Sequence, residues 1–294
     1  MSRTFNSYNI IFFGSESAGL RCLKFLSKQR NINILYLVTD NNGFSANGFK
    51  KIANKNGIEL INESILSNKI KVLKKSKIKI DFILSVFSPY IINDEILNIA
   101  NYGGFNLHPG KLPEYAGLNP TSWAIYNNEK YHEVTLHKMT NLIDGGDIVF
   151  SKRIKLSKNE TALSLLSKST SEGINLIKKF FIEISQKNIK SIKFKKQDLK
   201  KRNYYSNSSS ISLLLDFNNS IEEIDRLFRA SYLGPIKFPI GCPYIFINKN
   251  IVKLTNHKIK KCRHSKKIGD INLISSNQIE IACKDGLINA DIIK

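Results

Sequence analysis

Asn106 and His108 stand two residues apart in the segment Phe105–Asn106–Leu107–His108, a spacing that puts both side chains on one face if the segment is a strand. An amide and an imidazole aimed together offer preorganised hydrogen-bond donors for an oxyanion and a group able to move a proton. A lone histidine at such a place is more often a hydrogen-bonded core residue. The balance changes about thirty-five residues on, where Leu142–Ile143–Asp144–Gly145–Gly146–Asp147 sets a carboxylate in a turn whose paired glycines let backbone approach closely. Such a tetrapeptide is commonly a surface hairpin turn. If Asp144 instead reaches His108, it fixes the ring's tautomer and raises its pKa, which prepares it for acid–base work.

The elements that must position these groups follow from the apolar patterning. Asn9–Phe13, Ile34–Val38, Phe82–Val86 and Phe105–His108 are short continuous apolar runs, as expected of strands covered on both faces. Segments 17–29, 47–57 and 93–101 between them have helical spacing, the last with Asn93 or Asp94 as N-cap. Strand alternating with helix predicts an α/β fold with a doubly wound, Rossmann-like sheet, and in such sheets ligands bind beyond the carboxyl ends of the strands. Val134–Lys138 and Ile148–Phe150 read as two further strands flanking the Asp/Gly turn. Glu160–Gln186 reads as a long helix with Leu165, Leu166, Leu176, Ile177, Phe180, Phe181 and Ile184 on one stripe.

Residues 187–210 turn basic and then Ser/Asn-rich, the composition of a linker or an exposed crossing segment. Beyond them, Ser220 with Glu223 three positions later predicts a capped helix, and 244–254 a hairpin turning at Asn248–Asn250. A catalytic domain over 1–205 and a small C-terminal α+β domain over 206–294 are therefore expected, as a 294-residue chain exceeds the usual single-domain size.

Composition narrows the class. Hydrophobic residues at 42% fit a globular chain, and no run approaches the roughly 20 apolar residues of a membrane span, so a cytoplasmic protein without membrane contact is expected. The start has no apolar stretch of signal-peptide length. Cys22, Cys242, Cys262 and Cys283 lack CxxC spacing, which suggests neither a metal site nor a disulfide framework. The formal net charge of +21 attracts anionic partners, although an Asn/Ile/Lys-rich chain carries many lysines that are only solvated surface.

The combined pattern N-L-H-P-x-x-L-P-x-Y-x-G, then V-T-L-H-x-M, then I-D-G-G-D-I-V resembles the folate-dependent formyltransferase family, most densely over 82–149 and more weakly at Phe228–Pro239. The resemblance implies transfer of a formyl group from 10-formyltetrahydrofolate to a primary amine, with Asn106, His108 and Asp144 as the catalytic trio and no metal. It also implies that the donor's pterin lies between Phe87–Ser88–Pro89–Tyr90 and Thr140–Asn141–Leu142–Ile143, held largely by main-chain hydrogen bonds. Initiator-tRNA members follow the loop tyrosine with Arg–Gly–Ala–Ala–Pro, where this chain has Ala116–Gly–Leu–Asn–Pro120. That departure, with the positive field, favours a nucleotide-linked amino sugar of the dTDP-amino-dideoxy type as the amine. An aminoacyl or peptidyl amine and methionyl-tRNA are the alternatives, and a basic nucleic-acid-binding protein of the same fold is the non-enzyme one. The C-terminal domain is left open between binding the acceptor, pairing two copies as a homodimer and capping the sheet. The turn Gly14–Gly19 lacks the glycines and lysine of a phosphate loop, and structural roles are expected for Trp123 and His137.

Overall fold

The computed structural model describes residues 7–39, 45–186, 189–234 and 240–293. In chain order the elements are β1 (Tyr8–Gly14), α1 (Glu16–Leu26), β2 (Ile32–Val38), α2 (Ala46–Asn56), β3 (Glu59–Ile61), α3 (Glu63–Lys75), β4 (Phe82–Val86), α4 (Asp94–Leu97) and β5 (Gly104–His108). Then come β6 (Ala116–Gly117), α5 (Pro120–Tyr126), β7 (Tyr131–Lys138), β8 (Ile148–Lys155), α6 (Ala162–Gln186), β9 (Tyr204–Tyr205) and α7 (Ile221–Ser231). Strands β10 (Tyr244–Ile247), β11 (Asn250–Lys261), β12 (Ile271–Ser275), β13 (Gln278–Cys283) and β14 (Gly286–Ile292) complete the chain.

Seven strands form one sheet in the order β3-β2-β1-β4-β5-β7-β8. The first five run parallel and β7 is antiparallel to β5, so this is the expected α/β sheet with an antiparallel edge. Both faces are covered. On one, Ile11, Phe13, Val38 and Ile83 pack with Leu66, Ile70 and Leu73 of α3 and with Ile96 and Leu97 of α4. On the other, the rings of Phe82, Phe105 and Phe180 meet at 4.9 to 5.8 Å between centroids. Gly173 of α6 lies against Leu107, where an added Cβ would sit 2.7 Å from Leu107 Cδ2, so the helix seats directly under β5. That close approach fixes the strand carrying Asn106 and His108.

Two compact units divide the chain. One comprises the chain to Gly117 with Glu133–Ile154 and Lys168–Tyr204; the other comprises Leu118–His132, Lys155–Ser167 and the chain from Tyr205 on. In the second unit α7 lies on a five-stranded sheet, β10-β11-β14-β13-β12, through Ile221, Ile224, Phe228, Leu254, Ile279 and Ile288. The helix carries its capping box: Ser220 and Glu223 each bond the other's backbone N–H. The β10–β11 hairpin turns at Asn248 and Lys249, both with positive φ (50° and 67°), as a two-residue type I′ turn requires. Trp123 is buried in this unit and stacks on Tyr205 at 4.4 Å. Of the segment Phe228–Pro239, residues 235–239 lie outside the described residues.

In the Lys-rich stretch 71–79 the lysines are exposed, and Leu73 alone is buried, with Leu66 and Ile70 on the inner stripe of α3. The basic part of 187–210 is a crossing segment bonded to the sheet. Lys195 exchanges two main-chain hydrogen bonds of 2.8 Å with Ile148, tying 195–204 to the first unit.

Candidate active site

β5 places Asn106 and His108 at its carboxyl end, with β4 on one side and β7 on the other. In the antiparallel ladder with β7, Asn106 faces His137 and His108 faces Thr135, and opposed residues of a ladder point to the same face. Four polar side chains thus converge where the strand ends. Thr135 Oγ1 donates to Gly110 O at 2.8 Å and so anchors the turn leaving β5. His108 Nε2 donates to Tyr115 O at 2.7 Å. Gly110 is needed between them, because a Cβ there would overlap the His108 ring.

Asp144 closes the cluster from the loop between β7 and β8. Its Oδ2 accepts the main-chain N–H of Gly117 at 2.9 Å and lies 3.6 Å from His108 Nδ1. Its Oδ1 lies 3.2 Å from His137 Nε2 and accepts from Asn106 Nδ2 at 3.4 Å. The expected trio of Asn106, His108 and Asp144 is therefore brought together, with Asp144 at its centre and 8% exposed. Asp144 has φ +54°, a left-handed conformation costly for a non-glycine residue by about 1–3 kcal/mol. The paired glycines serve the same loop. A Cβ on Gly146 would overlap Lys138 O, so that position requires glycine.

His137 joins the trio: its Nδ1 lies 3.0 Å from Lys138 O, and its Nε2 lies 3.2 Å from both Asn106 Nδ2 and Asp144 Oδ1, so the ring braces the amide and the carboxylate together. The available signal in the sequence was the alternation Thr135–Leu136–His137, which mirrors Asn106–Leu107–His108 across the ladder. A structural role was expected of His137, and the fold sets it against Asn106 and Asp144. Sequence reasoning missed Gln197; its amide bonds the main chain of the Asp144 loop across 53 residues of sequence, which no local pattern reveals.

The charge states also differ from the expectation. Burial dominates at His108 and depresses its pKa below the ordinary 6.5, outweighing the nearby Asp144 carboxylate that favours the charged ring. The resting ring is neutral, with its proton on Nε2. Burial would raise Asp144, but His108, then His137 and the Gly117 N–H, hold it well below the usual carboxylate range. An unfolded chain protonates its histidine below about pH 6.5. The folded one resists until lower pH, so stability is lost as pH falls from that value through the folded pKa of His108. Asp144 adds a loss below its ordinary 3.8. Thermal unfolding at pH 7.5 and 5.5 should show a lower Tm at the acidic value and a smaller drop for His108→Gln; equal drops would exclude this role of the ring.

Of the expected donor-contact segments, Phe87 turns the chain out of β4 with φ +51°. Tyr90 is half-buried and packs with Met139 against the core cluster under β4 and α4. Thr140 and Asn141 line an open cavity of about 670 Å³ with Leu97, Gly104 and Met139, whereas Phe87–Tyr90 do not line it. Leu142 and Ile143 expose apolar side chains. No described helix is long and apolar enough to cross a membrane.

Comparison with known proteins converges on one family. The formyl transferase model matches residues 8–179, and the model of the formyl transferase C-terminal domain matches 209–294. Methionyl-tRNA formyltransferase of Clostridium acetobutylicum is 31% identical over 240 residues, covering 81% of this chain and 74% of the relative. The same enzyme of Clostridium beijerinckii is 27% identical over 286 residues, covering 95% and 90%. Among solved structures, an N-formyltransferase from Helicobacter canadensis in complex with folinic acid and dTDP-3-aminofucose superposes with TM-score 0.70 at 21% identity, over 97% of this chain and 100% of that one. A 4-N formyltransferase from Francisella tularensis does so with TM-score 0.67 at 19% identity, over 84% and 96%. The chain belongs to the formyl transferase family of enzymes.

Proposed function

We propose that this enzyme moves the formyl group of 10-formyltetrahydrofolate to the amine of a nucleotide-linked amino sugar, with Asn106, His108 and Asp144 as its catalytic residues. The observation that carries this reading is the buried, ionised Asp144 held between His108, His137 and the Asn106 amide beyond the end of β5. Amine attack on the formyl carbon creates an oxyanion and a positively charged nitrogen. The bond from Asn106 to Asp144 is long at 3.4 Å, so that N–H is exchanged cheaply for the oxyanion, while His137 keeps the amide aimed. His108 Nε2–H is bonded to Tyr115 O, which leaves Nδ1, facing Asp144, as the atom that gains a proton. The attacking nitrogen gives up a proton to His108 and Asp144, and the pair returns one to N10 of the donor as the C–N10 bond breaks. The products are a formamide and tetrahydrofolate.

The donor assignment draws on the family, on the H. canadensis structure with folinic acid, and on the exposed residues Thr140–Ile143 beside Asp144. For the amine, support comes from the likeness to enzymes whose ligands are dTDP-linked and from the loop Ala116–Pro120, which has no arginine. The net charge of +21 suits a diphosphate. The second reading is methionyl-tRNA, favoured by the two clostridial relatives. Tetrahydrofolate release should be followed with dTDP-3-amino and dTDP-4-amino sugars, an aminoacyl amide and methionyl-tRNA. Turnover on a dTDP-amino sugar, with kcat/KM at least tenfold above that on methionyl-tRNA, is expected; the reverse order overturns the acceptor assignment.

A further inference from the structure

The segment 195–202 lies along the loop that carries Asp144 and takes up its main-chain carbonyls one after another. Lys195 and Ile148 exchange hydrogen bonds, Gln197 Nε2 donates to Asp144 O at 2.9 Å and to Gly146 O at 2.5 Å, and Arg202 Nη2 donates to Ile143 O at 2.8 Å. Three of the four carbonyls from Ile143 to Gly146 are thus held by two side chains from one short segment. Gln197 is buried, and its orientation is unambiguous because a flipped amide would set its oxygen against two carbonyl oxygens. Its own Oε1 has no partner among the described residues, so the side chain forgoes an acceptor's bond to make those two donations.

We infer that Gln197 is a positioning residue, which holds the left-handed turn at Asp144 and fixes the neighbouring Thr140–Ile143 backbone in the conformation that receives the folate. This assignment rests on the donor reading above. It does not follow from the presence of a carboxylate in the site, since Gln197 touches neither Asp144's side chain nor any atom that reacts.

The test is calorimetric titration of the full chain with folinic acid, from pH 5 to 8 and well below Tm, for wild type, Gln197→Ala and Gln197→Glu. Losing both donations weakens binding about tenfold in Gln197→Ala, by the same factor at every pH. In Gln197→Glu a protonated carboxyl still donates to one carbonyl, whereas the ionised form faces two carbonyl oxygens. Its affinity relative to wild type therefore falls as pH rises. A merely structural contribution gives no such divergence between the two variants. Unchanged affinity in Gln197→Ala, or parallel pH behaviour of the two variants, overturns the inference while leaving the donor reading intact. Failure of the wild type to bind folinic acid overturns the donor reading and this inference with it.

Discussion

Replacing Asp144 with asparagine should lower kcat by about 10²–10⁴-fold while the protein stays folded. The substitution is isosteric and retains an oxygen able to accept the Gly117 N–H, so the loop keeps that anchor. What disappears is a negative charge that is present throughout the working pH range, because the carboxyl titrates well below its ordinary value. Proton removal from the attacking nitrogen then lacks its final acceptor, and a ring protonated at Nδ1 lacks its counter-ion at 3.6 Å. Because this charge acts on the transition state rather than on bound amine, KM for the acceptor should move little. Steady-state release of tetrahydrofolate checks both parameters. A kcat within tenfold of wild type, or a loss confined to KM, would remove Asp144 from the chemistry.

Gly146→Ala should be almost as damaging, by a different route. The added methyl group overlaps the carbonyl oxygen of Lys138, which is backbone and cannot rotate away, so the loop must lift. Lifting it breaks the Gln197 donation to Gly146 and carries Asp144 out of reach of Asn106 and His137. Turnover and folinic acid affinity should both fall by about 100-fold or more, since misplacement of reacting groups by ~1 Å is enough for that loss. The neighbouring Gly145→Ala provides the contrast. There the new methyl meets Leu142, an exposed side chain whose Cγ and Cδ2 swing clear with a rotamer change and whose Cβ stays in tight contact at 3.0 Å, so activity should stay within about fivefold of wild type. Equal losses in the two variants would show that the loop is intolerant of any Cβ and would sink the assignment to Lys138.

These predictions rest on features that differ in how visible they were in the sequence. The parallel core was legible because buried strands are continuous apolar runs: the expected strands at 9–13, 34–38, 82–86 and 105–108 fall within β1, β2, β4 and β5. The hairpin at Asn248 and the capping box at Ser220 were legible because each is a local chemical pattern with one geometric meaning. β3 and α3 were not read, since three strand residues and a lysine-rich helix leave little apolar contrast. Within the site, Asn106, His108 and Asp144 could be named from spacing and family likeness, but their charge states could not. Burial decides that His108 is neutral, and burial is a property of the folded sheet. His137 needed the β5–β7 register, and Gln197 needed a contact that only the tertiary fold creates.

If the cluster around Asp144 carries a formyl group to an amine, the formyl carbon itself can be followed from donor to product. Donor labelled with ¹³C in the formyl group would be incubated with the amine panel and either wild type or His108→Ala, and the products read by NMR. A labelled formamide on one amine is expected with wild type, and a signal lower by about 100-fold or more with His108→Ala. Label that stays on the folate across the whole panel, or that moves equally well with His108→Ala, would contradict formyl transfer by this cluster.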